Sequence, residues 1–121
     1  MPVTGVKKIT QREEFDAVMS AGVIATTPHF ALHANKKISS TAFRIGAVVP
    51  KRWAKRAVMR NSIKRQIYSM AQQCIQPFDH MDIVIRLRKP FVANEYISAN
   101  SVKLKTDVRS ELALLLKKSA I

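Results

Sequence analysis

The chain has 121 residues, 47% of them hydrophobic, and its 21 Lys and Arg against 8 Asp and Glu give a formal net charge of +13. This length predicts one domain over residues 1–121, and the apolar fraction predicts a packed core and excludes a disordered chain. The excess of positive charge indicates an anionic partner, either nucleic acid or an acidic membrane surface.

Two absences in the sequence narrow the class of protein. No apolar run reaches the roughly 18 residues of a membrane span, and the first residues lack the apolar segment of a signal peptide. We therefore expect a cytoplasmic protein. Cys74 is the only cysteine, which excludes an intrachain disulfide and a cysteine-based metal cluster.

The residue patterns predict elements in the order α-β-β-β-α-β-α. Helical spacing that stops at Gly22 predicts a first helix over 11–21, in which Phe15 and Met19 lie one turn apart on one face. Alternation bounded by prolines and turn residues predicts four strands. These strands are expected at 23–27, 29–36, 42–49 and 81–88, and the second and third helices at about 56–74 and 102–118.

Alternation within the strands assigns their side chains to two faces of a sheet. The face expected in the core carries Phe30, Leu32, Ala34, Phe43, Ile45, Ala47, Val49, Ile83, Ile85 and Leu87. His29 and His33 are four residues apart in a predicted strand and are expected to share the opposite face, where either surface exposure or contact with a ligand fits them. Helices at both ends and within a short sheet predict a two- or three-layer α/β sandwich.

The stretch 51–65, read as KRWAKRAVMRNSIKR, carries seven Lys or Arg and no acid, and no Asp or Glu occurs between Asp16 and Asp79. Arg56, Arg60 and Lys64 follow one another at intervals of four, and like charges at this spacing destabilise a helix. A helix needed only for stability would alternate acidic residues with these basic ones, so that opposite charges face each other. The stretch therefore indicates a polyanionic partner, and a solvated basic face without a ligand is the alternative.

A helix over this stretch has one apolar stripe and a basic remainder. The stripe consists of Ile63, Ile67, Met70, Ala71 and Cys74. Arg60, Asn61, Lys64 and Arg65 lie off the stripe, and we expect the fold to survive replacement of the three cations among them. Trp53, in the loop before the helix, fits stacking on a base or covering the end of the sheet.

The sequence lacks the motifs of an enzyme active site. Its three glycines form no phosphate-binding loop, and its histidines lack metal-ligand spacing with carboxylates. Asp79 and Asp82 bracket a turn and are interpreted as a strand entry rather than as a catalytic pair. No catalytic constellation of side chains is therefore expected.

The stretch 44–67, RIGAVVPKRWAKRAVMRNSIKRQI, resembles the signature of the bacterial ribonuclease P protein subunit. That family has a strand beginning Arg-Ile-Gly, a basic loop, and the run Ala-Val-x-Arg-Asn-Arg-Ile-Lys-Arg. Further similarity occurs, in chain order, in the segments 14–22, 30–33, 82–90 and 111–118. The resemblance covers roughly residues 7–118.

Three positions depart from the family pattern. Ser62 replaces the second arginine of Arg-Asn-Arg, Met19 replaces an aromatic residue of the first helix, and His33 replaces a strand tyrosine. We expect Ser62 on the exposed side of the basic helix, so that a Ser62→Arg change adds a cation there. We expect a His33→Ala change to leave stability nearly unaltered.

The resemblance implies an α+β fold, an α/β sandwich with a four-stranded mixed sheet. Its third and fourth strands would be parallel and joined through the basic helix by a left-handed crossover, against the usual right-handed rule. It also implies that the protein pairs with the catalytic ribonuclease P RNA and assists endonucleolytic removal of the 5′ leader from precursor tRNA. The chemistry would belong to the RNA and its Mg²⁺, with no cofactor on protein side chains and no obligate protein partner.

Two sets of site residues follow from the resemblance by position. Those expected to bind the catalytic RNA are Lys51, Arg52, Arg56, Arg60, Asn61, Lys64 and Arg65. Those expected to line a groove for the leader, between the sheet and the first helix, are Phe15, Met19, His33 and Val48, with charge from Arg44 and Arg86.

Other classes of protein fit parts of the sequence. A structural or ribosomal RNA-binding protein without a processing role would carry the same charge. A helix-turn-helix DNA-binding protein needs a second helix close before the basic one, where residues 42–49 are predicted as a strand. A membrane-surface helix needs a large aromatic or leucine face, which the basic helix lacks.

Overall fold

The computed structural model describes residues 7–9, 11–36, 44–72, 81–90 and 102–119. The helices are α1 (Arg12–Ser20), α2 (Ala57–Gln72) and α3 (Val102–Ser119). The strands are β1 (Lys7–Lys8), β2 (Val23–Thr26), β3 (Phe30–Lys36), β4 (Arg44–Val48) and β5 (Met81–Leu87). The predicted order α-β-β-β-α-β-α is confirmed from α1 onward, and the two-residue strand β1 precedes it.

The strands form one mixed sheet in the order β1-β4-β5-β3-β2. β4 and β5 pair in parallel, whereas β3 is antiparallel to β5 and to β2. Because a parallel pair needs a crossover, α2 crosses the sheet between β4 and β5. The mixed sheet with parallel β4 and β5 is therefore confirmed, and β1 extends it beyond β4. The left-handed sense of the crossover stays an expectation from the resemblance.

One face of the sheet packs against α2 and α3 and holds the main core. The predicted alternation is confirmed, since the apolar residues of β3, β4 and β5 on this face are buried together. They pack against Ile63, Ile67 and Ala71 of α2 and against the leucines of α3. Phe43 and Cys74, predicted for the same core, lie outside the described residues.

The opposite face of the sheet is covered by α1, and we call it the α1 face. α1 ends before Gly22, whose φ of 108° lies in the left-handed region that favours glycine. The strand register arranges the α1 face in three rows across β4, β5 and β3. These rows are Arg44–Asp82–Asn35, Gly46–Val84–His33 and Val48–Arg86–Ala31.

The prediction that His29 and His33 share a face is wrong, because β3 begins at Phe30 and strand alternation does not reach His29. The His29 Nδ1 atom lies 2.8 Å from Glu111 Oε1 of α3, on the core side. Glu111 Oε2 also accepts hydrogen bonds of 2.8 Å from the Thr27 hydroxyl and from the His29 backbone N–H. Glu111 thus fastens α3 to the turn between β2 and β3.

Candidate nucleic-acid interface

The cations of residues 51–65 form one surface, which we call the basic surface. α2 buries Ile63, Ile67, Met70 and Ala71, as the sequence predicts. Its remaining sides and the preceding loop expose Lys51, Arg52, Lys55, Arg56, Asn61 and Arg65, with Arg60 and Lys64 half-buried. Within the described part of the chain, none of these cations forms an ion pair with an acid. Their charge is therefore available to a polyanion.

Arg60 has a structural role in addition to its charge. Its Nη1 atom donates hydrogen bonds to the Ala54 carbonyl oxygen at 3.0 Å and to the Lys55 carbonyl oxygen at 2.8 Å. These bonds hold the basic loop against the first turns of α2. That the fold survives replacement of Arg60 stays a prediction, but these bonds give its side chain a share in the stability of the loop.

Ser62 does not lie on the exposed side of α2. Its exposed fraction is 5%, so the buried side of the helix is wider than the predicted apolar stripe. The expectation that an arginine here would simply add a surface cation is wrong, because its side chain would first have to leave a packed site. The small side chain at this departure from the family pattern thus fits a buried position on α2.

Two aromatic rings carry cations at the margins of the basic surface. Trp53 packs partly against the main core, and the Arg52 guanidinium carbon lies 5.0 Å from the centre of its ring. This packing fits the interpretation that Trp53 covers the end of the sheet, and stacking on a base stays a prediction for the exposed part of its ring. Lys8 of β1 holds its Nζ atom 4.4 Å from the centre of the Tyr68 ring, one turn beyond Lys64. Sequence periodicity could not indicate Lys8, because a two-residue strand has none.

Phe15 and Met19 of α1 are half-buried where this helix packs on the α1 face of the sheet. With Val48 they pack against a small cluster of Ile9, Val18 and Val84. Three of the four residues predicted for the groove wall, Phe15, Met19 and Val48, therefore lie in one cluster, and each keeps part of its surface exposed. Apolar and aromatic side chains of this kind can stack on the bases of a single strand.

Gly46 was missed by the sequence reasoning and determines how closely Phe15 approaches the sheet. A Cβ atom built on Gly46 would fall 2.4 Å from Phe15 Cε1, which is far inside van der Waals contact. A glycine isolated within a strand pattern is the signal that could have indicated this close approach.

Arg44 lies on the α1 face as predicted, but two carboxylates already balance its charge. Its Nε donates to Asp82 Oδ1 at 2.9 Å and its Nη2 to Asp82 Oδ2 at 2.6 Å, while Nη1 donates to Glu14 of α1. The hydrogen bonds to Asp82 are the main cause that raises the pKa of Arg44. Asp82 is fully buried. Interpreted from sequence as a strand entry, Asp82 in fact anchors an ion cluster that ties α1 to the sheet.

His33 lies beneath α1, with an exposed fraction of 5%. Its Nδ1 is 3.2 Å from the Met19 carbonyl oxygen, and its Nε2 is 3.4 Å from Arg86 Nε. Burial is the main cause that lowers the pKa of His33, and the charge of Arg86 lowers it further. The expectation that His33 could be removed at no cost to stability is wrong, because α1 covers its imidazole.

The α1 face and the basic surface meet at one end of the sheet. The row Val48–Arg86–Ala31 lies where β4 ends, and the chain then passes through Val49 and Pro50 into the basic loop. α2 itself lies across the other face of the sheet. A nucleic acid bound to the loop would therefore be next to Arg86, which is the half-exposed cation of this row.

Comparison with known proteins identifies similar chains. The Ribonuclease P family profile matches residues 4–112. The chain is 32% identical over 108 residues to the ribonuclease P protein component of Ralstonia pickettii, covering 89% of this chain and 75% of that one. The corresponding protein of Paraburkholderia xenovorans is 28% identical over 113 residues, which cover 93% and 80% of the two chains.

Solved structures share the fold. The RNase P protein of Staphylococcus aureus superimposes with a TM-score of 0.73 at 22% identity, covering 91% of this chain and 92% of that one. The RNase P protein from Thermotoga maritima gives a TM-score of 0.69 at 23% identity, covering 93% and 96%. The α+β architecture described above is therefore the one found in these proteins.

Proposed function

The chain belongs to the ribonuclease P protein family, and we propose that it binds the catalytic RNA of ribonuclease P and the 5′ leader of precursor tRNA, so assisting endonucleolytic removal of the leader. The observation that carries this proposal is the family match over residues 4–112. That match covers the basic surface and the α1 face together.

The basic surface supports the first half of the proposal. Its cations are exposed or half-buried and lack acidic partners within the described residues, and α2 has no acid in its first turn. Phosphate contacts of Lys and Arg release counterions from RNA, which makes binding strong at low salt and weak at high salt. We assign catalytic-RNA binding to Lys51, Arg52, Arg56, Arg60, Asn61, Lys64 and Arg65.

The α1 face supports the second half. Half-buried Phe15, Met19 and Val48 offer apolar surface for bases, and Arg86 offers a charge for the backbone. Stacking surface beside a cation is the combination by which proteins hold single-stranded nucleic acid. We assign leader binding to these four residues. We assign indirect roles to the other two predicted residues. His33 contacts Arg86, and Arg44 holds α1 on the sheet through Glu14.

We further propose that the hydrolysis and its Mg²⁺ belong to the RNA subunit, with the protein in the cytoplasm beside its RNA. In the described ranges, no group of three His, Cys, Asp or Glu side chains converges in a way that could hold a metal ion. No helix of those ranges is long and apolar enough to cross a membrane. The contribution assigned to the protein is binding and orientation, which by themselves can lower a reaction barrier substantially.

Cleavage of precursor tRNA by a bacterial ribonuclease P RNA at low Mg²⁺, with and without this protein, tests the proposal. We expect cleavage at the 5′ end of the mature sequence to accelerate when the protein is present. A variant with Lys51, Arg52 and Arg65 changed to Ala should lose most of that effect while remaining folded, because the three side chains are exposed. Tight RNA binding without any change in cleavage would instead identify a structural RNA-binding protein.

A further inference from the structure

His33 is buried beneath α1, where its imidazole contacts Arg86 rather than solvent. We propose that His33 is a positioning residue, which holds Arg86 so that the two terminal nitrogens of the guanidinium bind a backbone phosphate of the single-stranded leader. This inference rests on the proposed function, since it specifies how the α1 face holds the leader.

The hydrogen-bond partners of His33 determine its tautomer. The Met19 carbonyl oxygen, 3.2 Å from Nδ1, can only accept, so Nδ1 carries the hydrogen. In the neutral ring Nε2 is then an acceptor, and Arg86 Nε donates to it at 3.4 Å. A chain of contacts therefore runs from the backbone of α1 through the imidazole to the guanidinium on β5.

The bond to His33 leaves the two terminal nitrogens of Arg86 available to a ligand. A guanidinium has five N–H donors in a planar fork, and the bond to His33 uses only the one on Nε. The four hydrogens on the terminal nitrogens match two oxygens of a phosphate. Among the described residues, no acid pairs with Arg86. The nearby Arg44 differs, because Asp82 and Glu14 occupy its fork.

The position of Arg86 suits a phosphate rather than a base. Its neighbours across the sheet are Val48 on β4 and Ala31 on β3, which offer no hydrogen bonds to a base edge from their side chains. The row lies beside the start of the basic loop, so a strand leaving the basic surface would pass over it. Phe15 and Met19, on the adjoining α1, supply the stacking surface.

Only a neutral imidazole can perform this role. A protonated ring would present a donor at Nε2 to the donor at Arg86 Nε, and two positive charges would face each other. Burial beneath α1 favours the neutral form, and so does the charge of Arg86, whose Nε atom contacts the ring. Other charged groups on this side of the sheet are Arg44, Asp82 and Glu14, and Arg44 forms ion pairs with both carboxylates.

A double-mutant cycle with His33→Phe and Arg86→Gln tests the inference. Phenylalanine keeps an aromatic ring but loses both hydrogen bonds, and the Met19 carbonyl oxygen retains the Gly22 N–H at 3.3 Å. The measurement is the affinity of the holoenzyme, assembled with a bacterial ribonuclease P RNA, for precursor tRNA with a leader and for mature tRNA. Thermal unfolding of each variant confirms that it is folded.

We expect Arg86→Gln to weaken precursor binding about tenfold, the typical loss for one hydrogen-bonded charge, and to reduce the salt slope by roughly 0.7. His33→Phe should weaken precursor binding in the wild-type background and have no further effect when Arg86 is already Gln. Mature tRNA should bind all variants equally. His33→Gln, whose carbonyl oxygen can accept from Arg86 Nε, should recover part of the loss.

Three outcomes would overturn the inference. Full precursor affinity in folded His33→Phe would mean that Arg86 binds the leader without being positioned by His33. An undiminished effect of His33→Phe in the Arg86→Gln background, or an equal loss for mature tRNA, would mean a purely structural role. If His33→Phe does not fold, Arg86→Gln alone tests the phosphate contact. An unchanged salt slope of precursor binding in that variant would exclude the contact and with it the inference. Failure of the wild-type protein to favour leader-bearing tRNA would instead refute the proposed function.

Discussion

The Phe15 ring lies so close to Gly46 that a single methyl group at Gly46 would fall 2.4 Å from Phe15 Cε1. Gly46→Ala therefore forces Phe15 away from the sheet. We expect a loss of about 1–3 kcal/mol in the free energy of unfolding, as for other overpacked sites, and weaker binding of leader-bearing precursor tRNA. Urea unfolding and holoenzyme binding measure the two effects.

The matched control for this prediction is Gly46→Ala combined with Phe15→Leu. The smaller side chain leaves room for the new methyl group, so part of the stability should return while precursor binding stays weak. Binding of the catalytic RNA should not change in either variant, because the basic surface lies elsewhere. A Gly46→Ala protein with unaltered stability and unaltered precursor binding would show that Phe15 shifts without consequence.

Arg60 and Arg65 lie on the same helix and have different surroundings, which makes them a matched pair. Arg65 is exposed, so Arg65→Ala should reduce the salt slope of catalytic-RNA binding by about 0.7–0.9 and leave stability unaltered. Arg60→Ala should reduce the slope similarly and also cost about 1 kcal/mol in unfolding free energy, since the Ala54 and Lys55 carbonyl groups lose their donor. Equal stabilities of the two variants would argue against the structural role of Arg60.

Ser62→Arg should destabilise the protein rather than simply strengthen RNA binding. The site is 5% exposed, and a longer side chain there must displace its neighbours or bend outward, at a cost of about 1–3 kcal/mol. Ser62→Ala is the control, because it removes the hydroxyl without adding volume and should alter stability much less. Thermal unfolding together with RNA binding distinguishes the effects, and a Ser62→Arg protein as stable as the wild type would contradict this prediction.

The sequence predicted those features that depend on neighbouring residues in the chain. Alternation placed Ile45 and Ala47 in the core, and the helical period placed Ile63 and Ile67 there. The sequence failed where a distant element covers a residue. His33 was expected to be accessible, either at the surface or to a ligand, because alternation indicates a face but not what packs on it. α1 covers the ring through Met19.

Contacts with distant elements also explain why two arginines of the groove, Arg44 and Arg86, differ in the charges around them. The family resemblance assigned Arg44 and Arg86 alike to the groove as cations. Their difference arises from Asp82 on the neighbouring strand and Glu14 on α1, both of which reach Arg44. Parallel pairing of β4 with β5 brings Arg44 and Asp82 side by side, and this pairing is a property of the whole sheet.

Stability should depend on pH through His33. Because burial lowers the pKa of His33 in the folded protein below 6.5, the unfolded chain takes up a proton first as the pH falls. The contribution of the neutral ring is therefore fully present above about pH 6.5 and is lost as the pH falls through the folded pKa. We expect the free energy of unfolding of the wild type to decrease over this window by more than that of His33→Phe.

Urea unfolding of both proteins at several values between about pH 7.5 and pH 5 measures the difference. All other ionisable side chains are the same in both proteins, so a difference between the two profiles belongs to His33. Binding of leader-bearing precursor tRNA should weaken over the same window in the wild type, because a protonated His33 no longer accepts from Arg86. Parallel pH profiles for the two proteins would mean that His33 has the same pKa folded and unfolded, and that the ring is not held neutral beneath α1.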